Sequence, residues 1–444
     1  MMTKKMIVAA CALLLTFVVS CTRQAGNASN KSPASSADSA GDAQKVSSTA
    51  TEPLRVSAEG TDAAEPAVVA GRDGTAYVAW VEHRGKEADV WLSHLDAEGK
   101  PLRSPVRVNA KAGEATAWHG DPPTLAVAPD ATIYVGWTAR AAEKGHANTL
   151  YLSASRDGGQ SFAPPVKVND DEKPCAHGMH SLAVGADGRV YVAWLDERNV
   201  EPPPPAPAPK HGSGHEQKEP NSEVFFAAST DGGRTFSANR RIATEVCPCC
   251  KTSLAVGADG RIYASWRQVL PGDFRHIAVA SSTDGGQTFS SPVVVSDDKW
   301  QIAGCPVSGA ALVAATDGAL HVVWYTAGEA GTPGLYRTES RDGGRTFAPR
   351  EPLARSSGRG TPVLLAGERL AAVWEERGEG GAPSIATTQL AQGERQHAPA
   401  SVALLARSGE LPVASRASDQ MFVAYVSEKD AQRSVWLVRA KPIS

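Results

Sequence analysis

An excess of charge is the first thing this sequence lacks: 45 Lys and Arg residues stand against 48 Asp and Glu, interspersed along the chain. A nucleic-acid partner calls for a basic face, so that class of function is excluded. Long apolar runs are missing as well. After the stretch from Met6 to Val19, no segment is long enough to cross a bilayer as a helix. Cysteine is scarce too, and only five residues of that type lie beyond Cys21. An odd number leaves at least one of them unpaired in a monomer.

What is present begins at the N-terminus. Lys4 and Lys5 precede the apolar run, and a small-residue site ends at Cys21, which is the order of an export signal. The tetrapeptide Val18, Val19, Ser20, Cys21 resembles the lipobox of bacterial lipoproteins. That resemblance implies a signal peptide over residues 1–21, with cleavage before Cys21 and lipidation of it. Thr22 follows rather than Asp, which by the same resemblance implies the outer membrane, facing the periplasm, in a Gram-negative cell. Residues 22–52 are rich in Ser, Ala and Gly and bury too little apolar surface to offset their ordering entropy, so they read as a flexible tether. The folded domain is expected over residues 53–444, carried as a monomer outside the cytoplasm.

That domain repeats itself. A strand ending in an aromatic recurs as AYVAW at Trp80, IYVGW at Trp137, VYVAW at Trp194, IYASW at Trp266, LHVVW at Trp324, LAAVW at Trp374 and MFVAY at Tyr425. A period of roughly 50–70 residues fits propeller blades and is too long for helical repeats. Each copy holds an apolar strand, a tight turn such as Asp259 and Gly260, the aromatic strand, a variable loop, a third strand and a second turn. A fourth strand follows in most copies, as PVRV, PVKV, RRIA, PVVV, EPLA and ASVA. The missing one is found at the N-terminus as PLRV, residues 53–56. The expected fold is therefore all-β, a β-propeller of four-stranded antiparallel blades. Seven blades are predicted, six being the alternative, with the ring closed by the N-terminal strand.

Four of the second turns read SRDGGQSF, STDGGRTF, STDGGQTF and SRDGGRTF. They match SxDxGxTF, and on these residues the chain resembles the sialidase-like propellers that carry Asp-box (BNR) repeats. Asp157, Asp231, Asp284 and Asp342 can each bond the amides of their own turn, Gly accepts a positive φ and Phe packs inward, so these Asp residues are read as structural. The resemblance also implies a candidate activity, since sialidases bind the substrate carboxylate with an arginine triad and use a Tyr nucleophile paired with Glu. The RIP-type motif that carries the family's first Arg is absent here. Candidates on the rim are Arg84, Arg198, Arg267 and Arg377, with Tyr325 and Glu376 as nucleophile and base. The alternative reading pairs each Arg with an acid of its own loop.

Antiparallel topology puts the loops before the innermost strands, and those after the aromatic strands, on one face at the mouth of the channel. In the repeat register Cys175, Cys247 and Cys305 are equivalent positions of three consecutive blades, in the segments CAHGMHS, CPCCKTS and CPVSGAA. With His177, His180, Cys249 and Cys250 they form a candidate site for a soft ion, copper or zinc. Structural disulfides are the alternative, since an exported protein meets an oxidising compartment. Residues 199–221 insert a Pro-rich arm that carries His211 and His215 beside this face. Three functions stay open: a non-catalytic binding propeller for a metal ion or a glycan, an exo-acting glycosidase of sialidase type, and a scaffold for a protein ligand.

Overall fold

The structure, a computed structural model, describes residues 45–46, 50–116, 118, 120–141, 146–201, 220–302, 304, 306–329, 331–354, 360–377, 381–390 and 401–441. Cys21, Cys305, His211 and His215 lie outside the described residues, as do the signal peptide and most of the tether. Every regular element among the described residues is a strand.

Local chemistry explains the strands. Ser253–Val256 runs into a turn where Asp259 Oδ1 accepts a hydrogen bond from Arg261 N at 3.0 Å and Gly260 takes a φ of 79°. A left-handed φ is available to Gly at no steric cost. Ile262–Leu270 then returns antiparallel, with Ser253 opposite Ser265.

The first four-stranded group is Asp62–Ala70, Ala76–Arg84, Glu87–Leu95 and Val106–Arg107. The second is Thr124–Val127, Ile133–Arg140, Asn148–Ser155 and Val166–Lys167. His177–Val184, Val190–Asp196, Ser222–Ser229 and Arg240–Val246 form the third. Ser253–Val256, Ile262–Leu270, Phe274–Ser282 and Val293–Val294 form the fourth. Two more follow, Ala310–Ala314 to Glu351–Ala354 and Val363–Leu365 to Val402–Ala406. In the last group Leu54–Arg55 pairs with Gln432–Ala440, beside Gln420–Lys429 and Glu410–Ala417. Near the N-terminus Lys45–Val46 pairs in parallel with Val402–Ala406, so the end of the stretch read as a tether adds backbone to a sheet.

At one joint the strand pairing runs through from one sheet into the next. Val246, at the end of the third group, pairs both with Ser222 of its own sheet and with Gln268 of the fourth, which makes one continuous eight-stranded sheet. Cys247 N then donates to Arg267 O at 2.9 Å, so the CPCC segment starts pinned to the neighbouring blade.

The repeated aromatics form the packing between blades. Trp137 clusters with Val81, Val90 and Leu92 of the preceding blade, and Trp194 with Leu150 and Leu152. Trp266 meets Tyr191 and Phe226, while Trp324 meets Ile277 and Val279. Trp374 packs on Val323 and Leu335, and Tyr425 on Val373 and Ile385. Trp80 of the first group packs on Phe422 and Leu437 of the last. Truncating such a buried aromatic typically costs about 3–5 kcal/mol.

The Asp-box turns share one geometry. Asp157 Oδ1 accepts from Gln160 N at 2.9 Å and Ser161 N at 3.0 Å, and Ser155 Oγ donates to it at 2.8 Å while accepting from Gly159 N at 2.9 Å. Asp231, Asp284 and Asp342 accept from the equivalent Ser and Thr groups. The hydroxyl at the fifth position of the turn, with its amide next, holds all four carboxyls far below the ordinary carboxylate range. The sign follows from linkage: a depressed folded-state pKa contributes stability above the unfolded value of 3.8, lost as pH falls through the folded value. Asp157→Ala is accordingly expected to lower the thermal midpoint at pH 7 and to differ less from the wild type near pH 2, measured by melting across that range.

Candidate metal centre on the channel-mouth face

His177 opens the innermost strand of the third blade, and its imidazole is 1% exposed. The start of the strand Asn148–Ser155 in the second blade holds it from two sides. Asn148 Oδ1 accepts from His177 N, and Asn148 O stands 2.7 Å from Nδ1, where it accepts the ring proton. That bond fixes the tautomer and leaves Nε2 as the coordinating nitrogen. Nε2 lies 2.9 Å from Asp171 Oδ1 and 3.5 Å from Cys175 Sγ. These three donor atoms all lie within 4.8 Å of one another.

The surroundings tune the donors. Burial, with the charges of Asp196, Asp171 and Glu197, pushes the Cys175 thiol up to about 12. Burial also opposes the charge on Asp171, but the Asn169 hydrogen bond and the charges of His177 and Arg198 outweigh it and hold the carboxyl low. Asp196 Oδ2 is 3.7 Å from His177 Nε2 and is engaged by Trp194 Nε1 at 2.7 Å and Arg198 Nη2 at 2.8 Å.

Cys175 and Cys247, equivalent in the repeat register, do not share one site. Cys175 belongs to the Asp171 and His177 group, whereas Cys247 lies in a separate buried group with Cys249 and Cys250. Cys247 Sγ is 3.6 Å from Cys249 Sγ and 3.5 Å from Cys250 Sγ, and Arg275 Nη1 donates to it at 2.9 Å. Cys249 is disulfide-bonded, while Cys175, Cys247 and Cys250 are free. The hydrogen bond from Cys250 and the charges of Arg275 and Arg267 overcome burial and lower the Cys247 thiol to about 6. Burial and the Cys247 charge push Cys250 well up.

His180 turns away from both groups. Its Nδ1 stands 3.1 Å from Asp121 Oδ1, and Thr138 Oγ1 donates to Asp121 Oδ2 at 3.1 Å. Lys251 reaches across from the fourth blade, donating to Pro122 O at 3.0 Å, and loss of water around its ammonium lowers it to about 8 against the pull of Asp121. Asp121, Asp171, Asn148 and Arg275 had no signal of their own in the sequence. Their importance comes from strand starts meeting across blades.

The rim arginines are each engaged by the protein. Arg84 pairs with Asp89, and Arg198 with Asp196 and Asp170 while lying 4.2 Å over the Phe225 ring. Arg377 binds Glu375 at 2.9 Å and Glu410 of the next blade at 3.2 Å. Arg267 is fully buried and donates to Ser308 O twice, to Arg275 O and to Tyr325 O, its guanidinium 4.8 Å over Trp300. This arginine bolts the fourth blade to the fifth. The Tyr325 ring packs edge-on against Trp300, and burial raises its phenol, with no base beside it among the described residues. Glu376 Oε2 is buried without a hydrogen bond among the described residues.

Neither a family model nor a curated protein matches the sequence. Solved structures do. A protein of unknown function from Dyadobacter fermentans aligns at TM-score 0.52 and 15% identity, over 89% of this chain and 99% of that one. The polysaccharide lyase Uly1 aligns at TM-score 0.50 and 13% identity, over 85% and 90%. An intramolecular trans-sialidase from Ruminococcus gnavus aligns at TM-score 0.49 and 13% identity, over 74% and 97%. The likeness to the first two is one of fold, that of a β-propeller of four-stranded antiparallel sheets.

Removing Arg267 would take a donor from the buried carbonyls of Ser308 and Arg275 and the part-buried one of Tyr325, and open a cavity at the joint between blades. Arg267→Ala is expected to cost about 3 kcal/mol of unfolding free energy. Urea titration against Arg377→Ala, whose side chain is more exposed and expected to cost less, checks this assignment.

Proposed function

We propose that the chain is an exported, lipid-anchored propeller that binds rather than cleaves, and that it holds a zinc or copper ion between Asp171, Cys175 and His177. The observation that carries this reading is the convergence of three unlike donors on one point, with the imidazole oriented by the Asn148 carbonyl. A thiolate, an imidazole and a carboxylate together make a zinc donor set, while copper(I) would rely on sulfur and nitrogen. Bonds of about 2.0–2.3 Å in a tetrahedron separate donors by about 3.3–3.8 Å. The 3.5 Å between Cys175 Sγ and His177 Nε2 already has that spacing, and Asp171 Oδ1 at 2.9 Å needs only a small outward shift. Three protein donors leave a fourth position for solvent or a ligand, the pattern of a site that acts on something beyond the fold.

The glycosidase reading loses support because its candidate arginines are spent on carboxylates and carbonyls, and Tyr325 has no base beside it among the described residues. Glycan binding on the same face is a second reading, favoured by Trp118, which is 40% exposed in the loop ahead of Asp121. An aromatic face beside polar groups suits a sugar ring, and loss of glycan-array signal in Trp118→Ala would support it.

Elemental analysis of protein purified under reducing conditions is expected to find about one zinc or copper per chain. Cys175→Ser and His177→Gln should each lower that occupancy at least tenfold in competition with a chelator. Wild-type protein that stays metal-free when zinc or copper is supplied would sink the proposal. Anchoring has its own test: Cys21→Ser should abolish fatty-acid labelling and move the protein out of the membrane fraction, and unchanged membrane association would overturn it.

A further inference from the structure

We propose that Cys247 and Cys250 form a redox-active dithiol, which closes to a disulfide by reducing hydrogen peroxide. The proposal is independent of the metal at Asp171, Cys175 and His177.

It rests first on placement. A turn at Pro248 and Cys249 brings the two residues together. Proline at the second position of a turn presets φ, and the ends of such a turn stand within about 7 Å at Cα, a range that a disulfide also spans. The two sulfurs are already 3.5 Å apart, with the Cys250 thiol donating to Cys247. Bond formation needs them to approach by only about 1.5 Å. Both thiols are free, whereas Cys249 is already disulfide-bonded, so the pair can close without disturbing that cross-link.

The second support is a charge that needs a partner. Arg275 is buried, and among the described residues no carboxylate pairs with its guanidinium. Its Nε makes no hydrogen bond there, and its Nη1 donates to Cys247 Sγ at 2.9 Å. A buried guanidinium is stable when an anion compensates it, and the thiolate of Cys247 is the group in place to do so. Two inert buried thiols would pack as small apolar groups and would not call for an arginine. The thiolate is also the nucleophilic form of sulfur, so Cys247 is the attacking residue. Cys250, held protonated by burial and by the Cys247 charge, is the resolving thiol.

Burial selects the oxidant. Both residues are fully buried, which keeps bulky disulfides away, while hydrogen peroxide is little larger than water and enters through local opening of the loop. The Cys247 thiolate attacks one peroxide oxygen, the O–O bond breaks, and hydroxide leaves and takes up the proton that Cys247 lost on ionising. Cys247 is then a sulfenic acid. Cys250 gives up its proton and attacks Cys247 Sγ, the S–O bond breaks, and the second oxygen leaves as water. Two thiols have become one disulfide, and one peroxide has become two waters. Oxidation removes the charge that Arg275 faces, so the arginine favours the dithiol and raises the reduction potential of the pair.

Differential alkylation of the full chain tests this, with free thiols labelled first, disulfide sulfurs labelled after reduction, and residues 242–251 read by mass spectrometry. A modest excess of hydrogen peroxide should move Cys247 and Cys250 together from the first label to the second. Cys250→Ser removes the resolving thiol, so Cys247 is expected as a sulfenic acid that dimedone traps. Cys247→Ser should leave Cys250 a thiol. At equilibrium in glutathione redox buffers, where slow access no longer matters, Arg275→Gln should shift the pair about tenfold toward the disulfide. That is a fall in potential of about 30 mV, which Arg275→Lys should largely reverse. A thermal melt identifies any variant that does not fold, and the wild-type labelling needs no variant. The proposal is overturned if folded wild-type protein keeps Cys247 and Cys250 as thiols under peroxide, or if Cys247 bonds to a cysteine other than Cys250.

Discussion

Each blade presents an aromatic from its second strand to the blade before it, and that contact organises everything else. A four-stranded sheet with two apolar faces cannot be buried alone, so the wedge of Trp or Tyr makes every blade depend on its neighbours. The variable loops then carry few packing duties, which is the condition under which a loop can hold chemistry. In the third blade that freedom is used for Asp171, Cys175 and His177; in the fourth, for CPCC.

Buried arginine has two opposite roles in this molecule. Arg267 is satisfied by backbone carbonyls and stacks on Trp300, so its charge is spread over dipoles and serves the joint between blades. Arg275 sits one strand away and meets a sulfur instead. The difference lies in what the neighbouring loop supplies: carbonyls from the approach to the fifth blade in one case, a side chain able to become an anion in the other. A rim arginine in this fold therefore cannot be assigned from its position past the aromatic strand.

The repeat made the fold readable, because strand, turn and aromatic recur with the same chemistry, and the fourth strands appear in order, including Leu54–Arg55 against the C-terminal strand. The register also brought out Cys175 and Cys247 as equivalent positions. It failed to show that equivalent positions in neighbouring blades need not meet. Cys175 turns toward Asp171, which lies in the loop before its own strand, and Cys247 is drawn into the core by the hydrogen bond from Cys247 N to Arg267 O. His180, which directly follows Met179 with its φ of 53° and lies within a register shift between Gly178 and Ser181, faces Asp121 instead of the sulfur groups. A bulge of that kind re-aims a side chain and leaves no mark in a linear pattern. Cys249 illustrates the same limit, since spacing alone could not separate a ligand from half of a cross-link.

The double pairing of Val246 has a mechanical consequence. The third and fourth blades are joined by main-chain pairing into one sheet, and main-chain hydrogen bonds at Ala115 and Thr116 tie the first blade to the second as well. Relative motion of neighbouring blades is taken up where no main-chain pairing crosses the joint. The cysteine group lies against this shared sheet, so the sulfur atoms keep their spacing while the surrounding loops move. A stiff seam is a place where sub-ångström distances can be inherited with the fold.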